Sequence, residues 1–471
     1  MMTGTVSAAP SRHRHPSRRA ALAAASALAL GGLTAVAAPA TAAPADAAAA
    51  SGTAGNRAAA LAARPGDLLD VTLDQLHPTQ SAIGYDEVYY KLGRYASNKD
   101  QLNGGINKRF DDWCATNGQG AVATAPAGAT LADPNSFTCT LAVGQETEAS
   151  RAEMKTVVVG PGGELYLTDG HHTLTSLLET AEGGPQLHIR LIVQANYSTL
   201  SKAAFWQAMQ EHKWVRLVDE NSNPVTVDQL PTRLGLANFH DDPYRSLVYF
   251  TRDIGYTVPD DAAEFLEFQW GDWLRAQGIA LPGSYDAKDL ASYLGAVRTA
   301  SQAMSAVPGD TVISGGATAD QLGRLTPWNA GKKPTGGEFG KLSVPITEAK
   351  PGKLAYALDF RAKLPATPAC TTTVTGAHNG PLTVATGTTC LLNARQNGPI
   401  VVRAGANLVV KGSDVNGPLQ AVGAGTVQIC GTVLTGPLSI VNTRDRLTLT
   451  GPGCTPNRLT GPQQLVGNPI G

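Results

Sequence analysis

Four Gly-Pro pairs return at nearly one interval late in the chain, and that interval restricts the fold more than any other feature. Gly380-Pro381-Leu382, Gly398-Pro399-Ile400, Gly417-Pro418-Leu419 and Gly436-Pro437-Leu438 are offset by 18, 19 and 19 residues. Each is followed by a second β-rich run, such as Leu408-Val409-Val410 or Val427-Gln428-Ile429. A unit this short has no core of its own and must bury its apolar side against the next copy. The expectation is an all-β, solenoid-like repeat domain over 366–471, with a sandwich of short hairpins as the alternative. Ladders of similar side chains suit contact with carbohydrate or cell wall. No catalysis is expected there, because His378 is solitary and acidic residues are few.

The middle of the chain carries a different signal. Val157–Val159 is β-branched, Gly160-Pro161-Gly162-Gly163 is dense in turn residues, and Leu165-Tyr166-Leu167 resumes an extended run. Leu174, Leu177 and Leu178 then recur at helical spacing. Asp169-Gly170-His171-His172 stands where strand gives way to helix. A Gly there lets backbone approach a ligand, and free N–H groups in a helix's first turn attract anions. Two imidazoles and a carboxylate so placed can handle protons, phosphate or a metal. The plainer alternative has Asp169 capping the helix and both His solvated.

This stretch closely resembles the Asp-Gly-His-His-Arg signature of the ParB-like nucleases, in the ParB/sulfiredoxin superfamily. Val71-Thr-Leu-Asp-Gln-Leu-His-Pro-Thr-Gln80, followed by Gly84, Glu87 and Lys91, resembles the family's opening strand and Pro-Thr-Gln loop. Asp241 to Leu247 and Phe265 to Arg275 resemble its distal helices. The resemblance runs from Asp67 to Val307. It implies an α+β chain whose N-terminal domain is ParB/sulfiredoxin-like with added helices, and whose His-His loop binds a phosphate-bearing or nucleotide-like ligand. Nuclease or phosphohydrolase activity follows from the same likeness. His171 and His172 would be acid/base or ligand-orienting groups, and Asp169 would fix a tautomer or hold a divalent ion, the candidate cofactor. Gly170 would admit the anion, with Thr79, Gln80, Lys91 and Thr173 lining the pocket. Thr173 departs from the pattern, for it stands where the family usually has Arg, the natural fork for phosphate. Arg245 could replace that Arg in space, although a surface salt bridge is its plainer role. Sulfiredoxin's Cys is missing from the loop, which argues against that chemistry.

The chain begins as an export signal does. Arg12, Arg14, Arg18 and Arg19 precede an apolar run from Ala20 to Ala38, and Ala40-Thr41-Ala42 supplies small residues for cleavage. Ser17-Arg18-Arg19 also permits a twin-arginine route. Residues 1–43 are therefore read as a signal peptide and the product as secreted, with no membrane partner after cleavage. The chain has 37 Lys and Arg against 38 Asp and Glu; the signal holds four Arg and no acid, leaving a net charge of −5. Non-specific nucleic-acid binding needs Lys and Arg against phosphates, so a long nucleic acid is disfavoured and a small phosphorylated ligand preferred.

Residues 44–66 read as a flexible leader, 67–308 as the ParB-like domain, and 309–365 as a linker or flap. Six Cys in an exported chain suggest three disulfides. Sequence neighbours give Cys114–Cys139, Cys370–Cys390 and Cys430–Cys454, although spacing does not fix pairing. Helices are expected over 199–214, from Pro243 to about Asp253, over 262–276 and over 286–307. Glu87 and Lys91, at i, i+4, read either as an exposed pair or as bringing Lys91 to the anion. Glu264 and Glu267 permit acid/base work, with a solvated face as the default.

Overall fold

The computed structural model describes residues 55–259, 262, 265–329, 337–364, 367–450 and 454–469. The signal expected over 1–43, residues 44–54 of the leader, and Glu264 lie outside the described residues.

The β-branched run Lys155–Val159 is the middle strand of a five-stranded sheet, in the order Leu68–Thr72, His188–Asn196, Lys155–Val159, Leu165–Leu167, Leu76–His77. Side chains on a strand alternate between faces. Val157 and Val159 accordingly enter one core and Val158 another. Lys155–Val159 is antiparallel to Leu165–Leu167 and parallel to His188–Asn196. The parallel neighbour is reached by a crossover, and that crossover is the helix His171–Glu179. Its Leu174, Leu177 and Leu178 pack on Val157, Val159 and Leu167 together with Val88 and Leu92 of the helix Tyr85–Tyr95. On the opposite face, Phe205, Trp206 and Met209 of Lys202–Glu211 close over Val158 and Ala195. Those aromatics are core.

A second, helical cluster lies beside the sheet. It joins Leu247, Trp270, Val297 and Tyr356, from the helices Pro243–Thr251, Leu266–Ala276, Leu290–Ala306 and Lys353–Ala362. Asp242 caps the first of these by accepting from the N–H groups of Tyr244 and Arg245, with Pro243 at the first helical position.

Two segments expected to be loose are packed where they are described. Within 309–365, Ile313, Leu322, Phe339, Leu354 and Phe360 are buried, and the helix Lys353–Ala362 lies on Tyr85–Tyr95. This part is no linker. Residues 55–62 of the leader are helical. Ala60 and Ala63 enter the main core, and the Asn196 side-chain amide donates to both their carbonyls.

The C-terminal strands form two sheets. Leu382–Val384, Ile400–Val402, Leu419–Val422, Leu438–Val441 and Gln463–Val466 make one, with Leu382 opposite Ile400, Ile400 opposite Leu419 and Leu419 opposite Leu438. The other contains Thr388–Asn397, Asn407–Lys411, Thr426–Cys430 and Arg446–Thr448. Pairing among these strands is parallel throughout, which rules out the hairpin alternative. Leu391, Leu408, Val427 and Leu447 of one sheet share a core with Ile400, Leu419 and Leu438 of the other.

Cys114–Cys139, Cys370–Cys390 and Cys430–Cys454 are bonded, with Cα separations of 5.7, 5.7 and 4.8 Å. Three disulfides are compatible with an extracellular protein. No helix among the described residues is long and apolar enough to cross a membrane.

Candidate functional site

Gly170 makes the local geometry. It is left-handed, with φ of 93°, and is the N-cap of the helix His171–Glu179. Any side chain here is strained, and its Cβ would press on the Lys155 side chain. Asp169 therefore does not cap the helix. The chain turns at once into the first helical turn, and both His171 and His172 are buried.

Each imidazole is held by a backbone N–H. Thr79 N–H donates to His171 Nε2 at 3.1 Å, and Gly84 N–H donates to His172 Nε2 at 3.0 Å. An acceptor nitrogen carries no proton, so each neutral ring keeps its hydrogen on Nδ1. Burial lowers His171 to about 4 against a slight opposing pull from Asp169. Burial, aided by Arg245, pushes His172 well below its ordinary value. Glu87 Oε2 lies 3.8 Å from His172 Nε2, but protonating that nitrogen would forfeit the Gly84 bond. Both rings are neutral at pH 7. An acid/base role through Nε2 is thus closed to them, and each offers an Nδ1–H donor instead.

The two rings border a polar cleft of about 220 Å³. Gln80, Thr168, Asp169, Gly170 and Thr173 also line it, with Lys155, Arg245 and Arg252 as cations and Glu87 and Glu267 as further acids. Arg245 is 5% exposed, so it makes no surface salt bridge. Its Nη1 lies 3.0 Å from Glu87 Oε2 and its Nη2 lies 3.9 Å from Glu267 Oε2. Even so, Arg245 Nε, Arg245 Nη1 and Glu87 Oε2 have no aligned hydrogen-bond partner. Burial would raise the Glu267 carboxyl, yet Arg245 and Arg252 hold it below its ordinary value. Glu267 contacts Arg252 directly.

Asp169 stands at the rim, its side chain 67% exposed, 3.4 Å from Lys155 Nζ. Among the described residues no group of three or more His, Cys, Asp or Glu is placed to hold a metal ion.

The structure brings Gln80, Gly170, His171, His172, Thr173 and Arg245 together. Thr79 sits behind the site, its hydroxyl donating to the Leu167 carbonyl. Lys91 is elsewhere, paired with Asp112 at 3.0 Å. On the helix Tyr85–Tyr95 it is Glu87, not Lys91, that meets the site; the i, i+4 pair is not made.

Lys155, Arg252 and Glu267 complete the cleft. The first was readable from the hairpin: Val157 pairs with Leu167, and continuing that register sets Lys155 level with Asp169. Arg252 follows Arg245 by seven residues, two helical turns, which returns it to the same face.

A family model described as "Putative ParB-like nuclease" matches residues 69–276. This segment is a ParB-like domain. It contains every residue of the cleft. No curated protein matches the chain. Among solved structures, the crystal structure of protein Atu1540 from Agrobacterium tumefaciens is similar at 21% identity with a TM-score of 0.32, covering 51% of this chain and 93% of that one.

Proposed function

We propose that the protein is secreted and that the cleft of its ParB-like domain binds and hydrolyses a small phosphate ester, such as a nucleotide. The observation supporting this reading is Arg245. Glu87 and Glu267 balance its charge, but its buried Nε and Nη1 make no aligned hydrogen bond, and a buried donor left unmatched is costly until an oxygen acceptor completes it. Phosphate oxygens match the arginine fork. Arg245 lines the cleft beside Thr173, so a distal helix supplies the guanidinium that the motif position lacks. The first-turn N–H groups of the His171–Glu179 helix and the imidazole Nδ1–H groups are further donors for the phosphate oxygens. Phosphoryl transfer needs positioning and electrostatic stabilisation above all. Glu87, with an unbonded carboxylate oxygen facing Arg245, is the group assigned to take the proton of the attacking water.

A second reading, binding without turnover, is favoured by one observation: both Nε2 atoms are occupied by backbone N–H groups. The C-terminal strands are read as coils of a β-solenoid, because each Gly-Pro strand pairs in parallel with the next at the repeat interval. Its side chains are assigned to contact with cell-wall material.

Titration calorimetry with inorganic phosphate and a nucleoside monophosphate, alongside phosphate release, tests the site. Arg245→Gln should weaken binding by roughly tenfold or more. Glu87→Gln should keep the affinity and lose turnover. Wild-type protein that binds neither compound ends the proposal; binding with no release selects the second reading.

A further inference from the structure

A second cleft, of about 480 Å³, lies where the helices Tyr85–Tyr95, Lys99–Leu102 and Glu338–Leu342 meet the start of Lys353–Ala362. Its lining contains six cations, Arg94, Lys99, Arg252, Lys341, Lys350 and Lys353, against three carboxylates, Asp100, Asp253 and Glu338. The whole chain carries a net charge of −1, so this concentration of positive charge runs against the composition. Like charges gathered in a concave wall repel one another, and a concave surface focuses the potential they make.

The ion pairs leave the excess uncancelled. Asp100 pairs with Arg94 at 2.9 Å, Glu338 with Lys341 at 2.9 Å, and Arg252 with Glu267 outside this cleft. Lys99 Nζ donates to the Glu348 carbonyl, which is neutral. Lys350 has no partner among the described residues. Lys353 meets no carboxylate among the described residues: its ammonium lies 5.2 Å from the Tyr249 ring centre and 5.9 Å from that of Tyr90. Ring faces fix a cation in place without neutralising it. Lys353 is also the first residue of its helix, behind Gly352, which provides no side-chain cap. A cation at that end opposes the helix dipole and does not favour the helix.

We propose that this cleft is a second anion site, taking a polyvalent oxyanion of the pyrophosphate class. Lys350 and Lys353 supply its free charge. The inference does not rest on the function assigned to the Arg245 cleft, although Arg252 borders both. The ligand is either free pyrophosphate or the diphosphate end of a nucleotide, which share the same recognition chemistry.

The test is calorimetric titration of the full chain with inorganic pyrophosphate at low ionic strength. Two binding events are expected in the wild type. A Lys350→Gln, Lys353→Gln double variant should lose one, weakened by about tenfold or more, and its unliganded melting temperature should stay within a degree or two of the wild type's. Arg245→Gln should retain that event, so failure of the first cleft is distinguishable from failure of the second. A single event in the wild type, abolished by Arg245→Gln, overturns the proposal. So does a double variant that titrates as the wild type does. Repeating the titration with a nucleoside diphosphate separates the sources: tighter binding than pyrophosphate assigns a nucleotide, and equal or weaker binding assigns the free anion.

Discussion

Burial of His171 sets the sign of one pH dependence. Its folded value is about 4, below the ordinary 6.5. Between those values the unfolded chain binds the proton and the folded one does not, so stability rises with pH across that window. The contribution is fully present above about pH 6.5 and is lost on acidification toward pH 4, to a limit of roughly 3 kcal/mol. His171→Gln keeps an acceptor for Thr79 N–H without a titrating ring. Chemical denaturation at several pH values should therefore give the variant a shallower slope than wild type between pH 6.5 and 4; equal slopes would show that the ring already ionises in the fold. The sequence made the His pair visible because its four motif residues are consecutive. It did not reveal what holds the rings, since the donors are backbone N–H groups of Thr79 and Gly84, far along the chain. Lys91 was expected at the anion, where Glu87 stands instead, for a related reason. Spacing on a helix tells which residues are neighbours, but not which face a distant arginine will meet.

The Gly-Pro elements were legible because each position obeys one steric rule. A Cβ on Gly417 would lie 2.6 Å from the Gly398 carbonyl oxygen, and Gly398, Gly436 and Gly461 crowd the preceding Gly in the same way. Only glycine permits that approach, so the strand stack writes its period into the sequence. Gly417→Ala should force adjacent strands apart and cost about 1–3 kcal/mol, the range for overpacking. Hydrogen exchange should locate the loss in Ile400–Val402 and Leu419–Val422, leaving Lys155–Val159 protected; a variant with wild-type exchange would remove the steric account. The helix Lys353–Ala362 was illegible by contrast. Leu354, Ala357 and Phe360 recur every three residues, but Gly and Pro around them give the composition of a linker. Its register is decided by packing against Tyr85–Tyr95, which no local pattern announces.

At the scale of the whole molecule, the ParB-like domain and the C-terminal strands are joined through Glu179. This residue ends the very helix that begins at His171, and it is buried. Its Oε2 accepts from the Thr455 hydroxyl at 2.6 Å and its Oε1 from Leu236 N–H at 2.7 Å. Arg233 and Asp414 add an ion pair at 2.7 Å across the same junction. Burial nevertheless raises the Glu179 carboxyl, against the pull of Thr455, Leu236 and Lys411. Lys411 is lowered by its own burial, against Glu179, so both groups are pushed toward neutrality. A carboxylate whose folded value is raised binds a proton more readily in the fold than out of it. Its effect on stability is therefore unfavourable at neutral pH and disappears as the pH falls below the unfolded value, near 4.3. Glu179→Gln preserves an acceptor of the same shape and removes the charge. It should raise the melting temperature at pH 7, and change it little near pH 4. If the variant instead melts lower at pH 7, Lys411 holds the ionised carboxylate more strongly than burial opposes it, and the junction is electrostatic rather than a neutral hydrogen-bonded hook.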